Sequence, residues 1–466
     1  MRWLFWTVWI GGTAAGAILL WFLMAVPEAR DWSFVDRRVF LPGATTDGHY
    51  QIELACESCH GEGFSDPKAL QASCVRCHGD ELEAANDSHP RTKFTDPRNA
   101  DRVAILDARW CVTCHQEHRP EVTGTMGLSL PGDYCFHCHQ SIGEERPTHE
   151  GLAYDSCADV GCHNFHDNRG LYEDFLVDHR NEPALLESPR VPLRNLAAVF
   201  ATEAGDHAPL EAKDQDATAS SSDPIVEEWA ASGHARGGVN CSECHGAGAT
   251  WTDHPQVSVC EECHALEVEG FSHGRHGMRR LVEGAPMTKG EARLPMTPKS
   301  PERDMDCHAC HPAHAYDTRA AAVSACLDCH ADEHSRAYEG SPHHELWKKE
   351  EAGEAPAGSG VSCATCHLPR VETEARPDQI LVAHNQNDYL RPREKMIRSV
   401  CIHCHGLAYT IDALADEALV ESNYREAPQR SVRSMEYATE LRWELEGRAP
   451  PFALDEDQRK DGEEKP

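Results

Sequence analysis

The spacing of the cysteines constrains this chain more than any other feature of its sequence. All 22 cysteines belong to units in which two cysteines are followed directly by a histidine. Ten of these units have two residues between the cysteines, whereas Cys157 and Cys162 are separated by four. Because no cysteine is left over, the eleven units define the points around which the chain folds.

Each unit supplies two thiols and one imidazole. The cysteines are Cys56 and Cys59, Cys74 and Cys77, Cys111 and Cys114, Cys135 and Cys138, Cys157 and Cys162, Cys241 and Cys244, Cys260 and Cys263, Cys307 and Cys310, Cys326 and Cys329, Cys363 and Cys366, Cys401 and Cys404. The histidines that follow them are His60, His78, His115, His139, His163, His245, His264, His311, His330, His367 and His405.

The Cys-x-x-Cys-His spacing is the attachment signature of c-type haem. Residues i and i+3 are neighbours on a helix, so one turn presents both thiols to the porphyrin edge and the histidine binds the iron. A zinc site, a redox dithiol or a disulfide would fit a single unit, but eleven units that each end in histidine favour haem. We therefore expect eleven covalently attached haem c groups. The Cys157 unit must leave helical geometry, because residues i and i+5 lie about 500° apart on a regular helix.

The composition agrees with an interior that is filled by a cofactor rather than by side chains. Hydrophobic residues make up 40% of the chain and aromatic residues 7%, and this hydrophobic share is below the usual one. We expect a multihaem cytochrome c fold built mainly of short α-helices and loops around a haem chain. Few strands and one N-terminal transmembrane helix complete the expected fold class.

One phrase occurs twice, as GHYQIELACESCHG from Gly48 and as GHARGGVNCSECHG from Gly233. After each copy, four further motifs and several histidines follow in the same order. We infer a tandem duplication of a five-haem module, with a sixth haem at Cys401 in the second copy. The alternative is that dense motifs align by accident. The duplication matches Ser88-His89 with Ser272-His273, His118 with His314, and Pro147-Thr148-His149 with Pro342-His343-His344.

These features divide the chain into five parts. Residues 1–30 form a signal anchor, 31–180 a pentahaem module and 181–230 a linker. Residues 231–410 form a hexahaem module, and 411–466 a helical C-terminal extension with a disordered acidic tail. The linker is predicted because residues 211–224 are polar, charged and rich in serine and alanine, as flexible linkers are.

The chain has 30 histidines, so those that do not follow a cysteine outnumber the eleven irons. Two imidazoles can therefore bind every iron, which keeps it low-spin and able to transfer electrons without binding substrate. His179, His254 and His384 are weaker candidates, and no residue is assigned a catalytic role. The predicted second iron ligands are His49, His89, His118, His149, His166, His234, His276, His314 and His343.

The N-terminus predicts a membrane anchor. Trp3 to Val26 are 24 consecutive uncharged, mostly apolar residues, which is long enough to cross a bilayer. Because a signal peptide has a shorter apolar region, we favour a retained anchor over a cleaved signal. Covalent c-type haem attachment in bacteria occurs outside the cytoplasmic membrane, so we expect the haem modules in the periplasm. Gly12 and Gly16 fit a small-xxx-small helix contact, which allows a homodimer.

The formal net charge of −33 limits the partners. Nucleic acid is not an expected partner, because binding to its backbone needs a basic face. A redox protein with a basic docking face would be steered toward this chain. The same acidity is equally consistent with a role in solubility alone.

The motifs resemble those of periplasmic multihaem c-type cytochromes with doubled CXXCH pairs. One anchor ahead of a haem array resembles the NapC/NirT class of membrane-anchored quinol dehydrogenases. Residues 343–419, with GVSCATCH from Gly360 and RSVCIHCH from Arg398, are similar in arrangement to the octahaem hydroxylamine-oxidoreductase and tetrathionate-reductase group. The Cys-x-x-Cys-Lys motif of the nitrite-reductase branch does not occur in this sequence, so no catalytic residue is carried over.

The anchor, the surplus of histidines and the lack of a special catalytic motif predict an electron carrier. Its donor would be quinol or a membrane dehydrogenase, and its acceptor a periplasmic or outer-membrane redox protein. The alternative is a multihaem oxidoreductase acting on a small nitrogen or sulfur compound such as hydroxylamine, nitrite or tetrathionate, which needs one iron with an open position. Whether the chain is an enzyme stays open. A conductive assembly of stacked modules is a third hypothesis.

Replacing His49 or His234 with alanine is predicted to leave one five-coordinate haem, because each opens its module as a distal ligand. The ferric EPR spectrum checks this, and each variant should gain a high-spin signal. If both variants kept every iron low-spin, the repeated phrase would be only a structural lead-in to Cys56 and Cys241.

Overall fold

The fold is taken from a computed structural model of the full chain. It describes residues 2–25, 37–61, 66–85, 89–146, 163–167, 173–193, 224–298, 303–377, 379–390 and 394–432, together with residues 149, 154, 157, 171, 392, 435, 436, 439 and 447. Residues 211–223 of the predicted flexible segment 211–224, the acidic tail and Cys162 lie outside these residues.

Short helices make up most of the regular structure. The α-helices are Arg2–Ala25, Cys56–His60, Pro67–Ala84, Arg91–Thr95, Ala100–Ile105, Cys111–Cys114, Phe136–His139, Ile142–Glu145, Glu173–Asp178, Pro224–Ala231, Gly233–Arg236, Cys241–His245, Val257–Glu261, Ala265–His273, Cys307–Cys310, Thr318–Ala322, Ser324–Cys329, Glu333–Tyr338, Pro342–Glu351, Cys363–His367, Asn387–Leu390, Glu394–Ser399, Leu407–Ala415 and Glu417–Glu421. The 3-10 turns are Arg37–Phe40, Tyr50–Ile52, Pro97–Asn99, Thr125–Gly127, Gly248–Thr250, Met278–Val282, Lys289–Glu291 and Cys401–His403.

The longest helix, Arg2–Ala25, covers most of the predicted anchor. Among the described residues, no helix combines the length and the apolar composition that spanning a membrane requires.

Strands are few, as the sequence predicts. Within the described residues, β1 (Arg370–Glu372) and β2 (Ile380–Val382) form one antiparallel pair in which Val371 lies opposite Leu381. The second strand leads directly into His384, whose Nδ1 lies 2.8 Å from the carbonyl oxygen of Val382. The hairpin thus fixes the position of one candidate iron ligand.

Side chains just before the motif cysteines begin several helical turns of the second module. Asn240 forms a capping box with Glu243, and Asp306 and Ser362 accept hydrogen bonds from backbone N–H groups of the next turn. Such caps satisfy N–H groups that a helix start leaves without partners. The corresponding positions of the first module hold Ala55 and Trp110, which give no side-chain cap.

The main apolar cluster joins the end of the first module to the last motif of the second. Leu407 is 0% exposed and lies at its centre. The helix Leu407–Ala415 carries three of its buried members. Together with the helix Glu417–Glu421 it matches the predicted helical run at 411–420. Its buried members are Leu171, Leu176, Ile397, Leu407, Ile411, Leu414 and Met435.

Part of the predicted linker packs against the second module. The N–H of Gly406 donates to the carbonyl of Pro183 at 3.1 Å, and the N–H of Leu186 donates to the carbonyl of Cys404 at 2.8 Å. This part of the linker therefore lies against the last motif in space. The polar part of the linker falls on residues that the structure does not describe.

A second contact joins the opening phrase of the first module to the second module. Arg293 forms an ion pair with Asp47 at 2.7 Å, and Nε of Arg279 donates to the carbonyl of Gln51 at 3.0 Å. The hydroxyl of Tyr50 lies 3.5 Å from the sulfur of Met287. The two modules thus meet beside the segment that carries His49.

Replacing Leu407 with alanine is predicted to lower the free energy of unfolding by about 2–5 kcal/mol, because the change removes buried methyl groups and leaves a cavity. Denaturant titration of the haem-loaded protein, followed by circular dichroism, checks this. The matched control is Ile105→Ala, since Ile105 is 59% exposed, and its effect should stay within about 0.5 kcal/mol. Equal midpoints for the two variants would contradict the prediction.

Candidate haem sites

The motif cysteines lie on helical turns. The helices Cys56–His60, Cys241–His245 and Cys363–His367 each contain a complete motif, so residues i and i+3 present both thiols from one turn. The second motif lies within the long helix Pro67–Ala84. No disulfide joins the cysteines that the structure describes, which leaves their thiols available for thioether bonds.

Every motif histidine lies opposite a second histidine, and no second histidine is used twice. The pairs and their ring-centroid separations are His60 with His118 (6.4 Å), His78 with His49 (5.8 Å), His115 with His166 (6.3 Å), His139 with His89 (6.0 Å), His163 with His149 (6.1 Å), His245 with His314 (5.9 Å), His264 with His234 (6.0 Å), His311 with His384 (6.4 Å), His330 with His276 (6.1 Å), His367 with His334 (6.1 Å) and His405 with His343 (6.3 Å).

These separations fit two imidazoles that share one metal ion. A histidine nitrogen binds a metal such as zinc at about 2.0–2.1 Å, and with a ring radius of roughly 1.1 Å two rings on opposite sides of a similar ion have centroids about 6 Å apart. Two rings in direct stacking contact would lie closer, as those of His245 and Trp251 do at 4.8 Å. The spacing of the histidine pairs therefore accommodates an iron with one ligand on each side.

A continuous, partly open cavity of about 6750 Å³ is lined by motif cysteines, by both members of most histidine pairs and by apolar side chains. Divided among eleven groups it offers roughly 600 Å³ each, within the usual range of about 300–1,000 Å³ for a cofactor pocket. Among the described residues, no group of three or more His, Cys, Asp or Glu side chains is arranged to hold a bare metal ion. The thiols, the paired imidazoles and the cavity together fit haem c.

All nine predicted second ligands lie opposite a motif histidine. The predicted set lacks His334, and it includes His384 only as a weaker candidate, yet both lie opposite motif histidines. Among the described residues, His179 and His254 make no ring contact with another histidine. His179 instead lies 3.0 Å from a carboxylate oxygen of Glu182.

The histidine pairs follow the same order in both modules. The first motif pairs with the last histidine of the Cys-His-x-x-His segment, the second with the opening histidine, and the third with a histidine beyond the fifth motif. The fourth and fifth motifs pair with histidines that follow the second and fourth motifs. The equivalent second ligands are His118 and His314, His49 and His234, His166 and His384, His89 and His276, and His149 and His334.

Two matches made from the sequence need correction. His276, rather than His273, takes the place of His89. His343 does not correspond to His149, because it lies opposite His405 of the additional sixth motif. The second match relied on a proline that precedes both histidines, Pro147 and Pro342. Counting histidines after the fourth motif would have matched His149 with His334 instead.

The backbone supports the repeat at the closing residue of the Cys-His-x-x-His segment. His118 and His314 have φ of +60° and +68°, a left-handed conformation that is uncommon for residues other than glycine. The Nδ1 of His118 lies 2.8 Å from the carbonyl oxygen of Gly43. A Cβ at Gly43 would lie 2.4 Å from the carbonyl oxygen of His118, so this approach requires glycine.

Several ligand rings have Nδ1 within hydrogen-bond distance of a backbone carbonyl oxygen, which leaves Nε2 for a metal. Nδ1 lies 2.6 Å from the carbonyl oxygen of Thr252 in His245, 2.6 Å from that of Val420 in His334, and 2.9 Å from that of Ala184 in His405. Metal-binding histidines commonly donate this N–H to a carbonyl or carboxylate, which fixes the tautomer and raises ligand basicity.

Burial keeps several candidate ligands uncharged. It is the main cause that lowers the pKa of His276, His311, His343 and His367 to about 4, and the facing histidine lowers it further. A histidine must be neutral to bind a metal, so these rings are prepared for ligation near neutral pH.

Contacts between thiols place successive motifs side by side. Cys74 of the second motif is hydrogen-bonded to Cys111 of the third. The fourth and fifth motifs of the first module meet through Cys135 and Cys157. The second module repeats both contacts, with Cys260 bonded to Cys307 and Cys326 bonded to Cys363.

Comparison with known proteins identifies one matching family. Residues 48–140 match the family model described as cytochrome c3, and this segment contains the first four motifs. Neither curated proteins nor solved structures gave a match to the chain. The family match, the motifs and their geometry support a multihaem c-type cytochrome with covalently bound haem c.

Replacing His384 with alanine is predicted to convert one haem to a high-spin form, because the ring opposite His311 is lost. The ferric EPR spectrum and the haem content of the purified protein provide the measurement. His254→Ala is the matched control, since His254 faces no second histidine among the described residues, and it should stay fully low-spin. A low-spin His384→Ala protein, or a high-spin control, would contradict the pairing.

Proposed function

We propose that the protein is an electron-transfer cytochrome that carries eleven haem c groups and has no substrate-binding iron. The observation that carries this proposal is the set of eleven opposed histidine pairs, one for each Cys-x(n)-Cys-His motif. Two imidazoles on every iron leave no position for a small substrate. Haem c supplies one-electron transfer when it is bound.

The residues of the chain would bind the haem groups and orient their ligands. The motif cysteines anchor the cofactor covalently, and the paired histidines hold the iron from both sides. Hydrogen bonds such as that from His245 to Thr252 keep the ligand rings in one tautomer. The fold brings Cys74 of the second motif next to Cys111 of the third, so these two attachment sites lie side by side.

The proposed location is the periplasmic face of the cytoplasmic membrane, with the first 30 residues as the anchor. The sequence from Trp3 to Val26 contains no charged residue. On the helix, Trp3 is 84% exposed, Ile18 65% and Trp21 67%. Exposed apolar side chains are unfavourable in water, so this helix needs an apolar environment that the rest of the described chain does not provide.

The proposed donor is membrane quinol or a quinol dehydrogenase, and the proposed acceptor is a periplasmic or outer-membrane redox protein. Support comes from the anchor and from the net charge of −33, which would steer a partner with a basic face toward the haem modules. A homodimer through Gly12 and Gly16 is part of the same proposal.

The alternative of a nitrogen- or sulfur-compound oxidoreductase is less well supported. It needs an iron with an open position, which a motif histidine without a second histidine would provide. His60, His245 and the other nine motif histidines all have a second ring opposite them. No specific observation favours this alternative.

The test combines mass spectrometry and EPR on detergent-purified, full-length protein. The mass should exceed that of the polypeptide by eleven haem c groups, and all ferric irons should be low-spin. Nitrite, hydroxylamine and tetrathionate should leave the spectrum unchanged. A high-spin signal that responds to one of these compounds would replace the proposal with the oxidoreductase, and a lower haem count would overturn the assignment of eleven sites.

A further inference from the structure

One carboxylate lies against a candidate iron ligand in a way that the duplicated module does not reproduce. The Nδ1 of His49 lies 2.7 Å from Oε1 of Glu117. Thr46 holds the same carboxylate, with its hydroxyl donating to Oε1 at 2.8 Å and its backbone N–H donating to Oε2 at 2.7 Å. Glu117 is therefore fixed by three hydrogen bonds and directed at the ring opposite His78.

Glu117 is present as a carboxylate. Thr46 donates two hydrogen bonds to its oxygens, from the hydroxyl at 2.8 Å and from the backbone N–H at 2.7 Å, and such donors favour the ionised form. An ionised carboxylate only accepts hydrogen bonds, so the proton in this contact belongs to Nδ1 of His49. The other ring nitrogen is then free to bind iron.

The equivalent ligand of the second module has a different environment. The segment CHQEH, with Glu117 as its fourth residue, corresponds to CHPAH, in which Ala313 takes that place. His234, the counterpart of His49, packs edge-on against Tyr316 with ring centroids 4.5 Å apart. An aromatic ring thus replaces the carboxylate at this ligand.

The motif histidines of the two sites, His78 and His264, have similar surroundings. The two sites therefore differ mainly at the second ligand. Nδ1 of His78 lies 3.5 Å from Glu81, and Nδ1 of His264 lies 4.0 Å from Glu267. Each of these carboxylates also pairs with a cation of the second module, Lys395 for Glu81 and Arg376 for Glu267. The sites therefore share a carboxylate near the motif histidine and differ at the second ligand.

We propose that Glu117 is a positioning residue that lowers the reduction potential of the haem held by His49 and His78 relative to its counterpart at His234 and His264. A carboxylate that accepts the Nδ1 proton makes the imidazole a stronger donor to the metal. Stronger donation stabilises the oxidised iron, and hydrogen bonding and burial are recognised determinants of haem potential. This inference rests on the proposed function, in that the two histidines bind a haem iron.

The test is a spectropotentiometric titration of full-length, haem-loaded Glu117→Gln protein. The amide oxygen of glutamine can still accept from His49 and from the Thr46 hydroxyl, although the bond from the Thr46 backbone N–H is lost. Because glutamine has nearly the same shape and carries no charge, the fold and low-spin ligation should remain. About one eleventh of the absorbance change should move to higher potential, since one of eleven predicted haems is affected. An unchanged titration curve in a low-spin, fully loaded variant would overturn the inference.

Two further variants separate the ligand contact from charge and from folding. Glu121→Gln removes an exposed carboxylate in the same loop, one that pairs with Arg119 rather than with a histidine, and it should leave the titration unchanged. Glu117→Asp keeps the charge, and its curve should lie closer to the wild type than that of Glu117→Gln. If Glu121→Gln shifted the titration curve as much as Glu117→Gln does, the effect would come from charge in general. The inference about the contact with His49 would then fail.

The same samples separate this inference from the proposed function. If Glu117→Gln loses the low-spin signal of one haem, Glu117 holds the ligand in place rather than tuning it, and the inference fails while the haem assignment stands. If His49→Ala leaves every iron low-spin, the ligand assignment itself fails. A shift of one haem in Glu117→Gln together with a high-spin signal in His49→Ala supports both.

Discussion

The opposition of two imidazole rings about 6 Å apart is the constraint on which the rest of this structure depends. Each pair joins a motif to a residue that lies elsewhere in the chain, as His115 is joined to His166 and His311 to His384. Eleven such pairs act as cross-links once a metal is bound, and binding free energy of this kind contributes directly to folding. This explains why short helices, loops and, among the described residues, one small apolar cluster suffice to hold the chain together. The helices have only to present thiols and imidazoles, and the cofactor replaces most of the side-chain core.

The repeat explains the order of the sites, and the contacts between the modules explain how two copies make one protein. The left-handed backbone of His118 and His314 and the thiol contacts of Cys74 and Cys260 recur because the same ligand pattern requires them. The contacts between modules do not recur. Asp47, which pairs with Arg293, corresponds to Ser232 in the second copy. The acidic opening of the first module therefore docks on the second, and the second copy has lost the charge that would repeat the contact.

The sequence was sufficient for the features that depend on local spacing. Two thiols and an imidazole within five residues define an attachment turn, and the helices at Cys56 and Cys241 have the predicted form. The sequence predicted the second ligands less well, because these depend on which distant parts of the chain come together in the fold. His334 lies only four residues after His330 and yet faces His367, and His343 faces the extra motif rather than the fifth. Nothing local marks Glu117 among the 77 acidic residues of the chain; only its distance to His49 does.

Uniform ligation has a consequence for how such a protein can direct electrons. If every iron has two histidine ligands, the ligands themselves give no site a preference, and differences in potential must come from what surrounds them. Desolvation lowers the pKa of the partly buried His276 to about 4, whereas the ring of His49 is bonded to a carboxylate. Burial in an apolar site disfavours the more highly charged, oxidised iron, while a carboxylate favours it. The segments of His49 and His276 meet where the modules join, since Gln51 hydrogen-bonds to the carbonyl of Arg275. A contrast in environment therefore lies across the contact between the modules, where it would favour one direction of electron transfer.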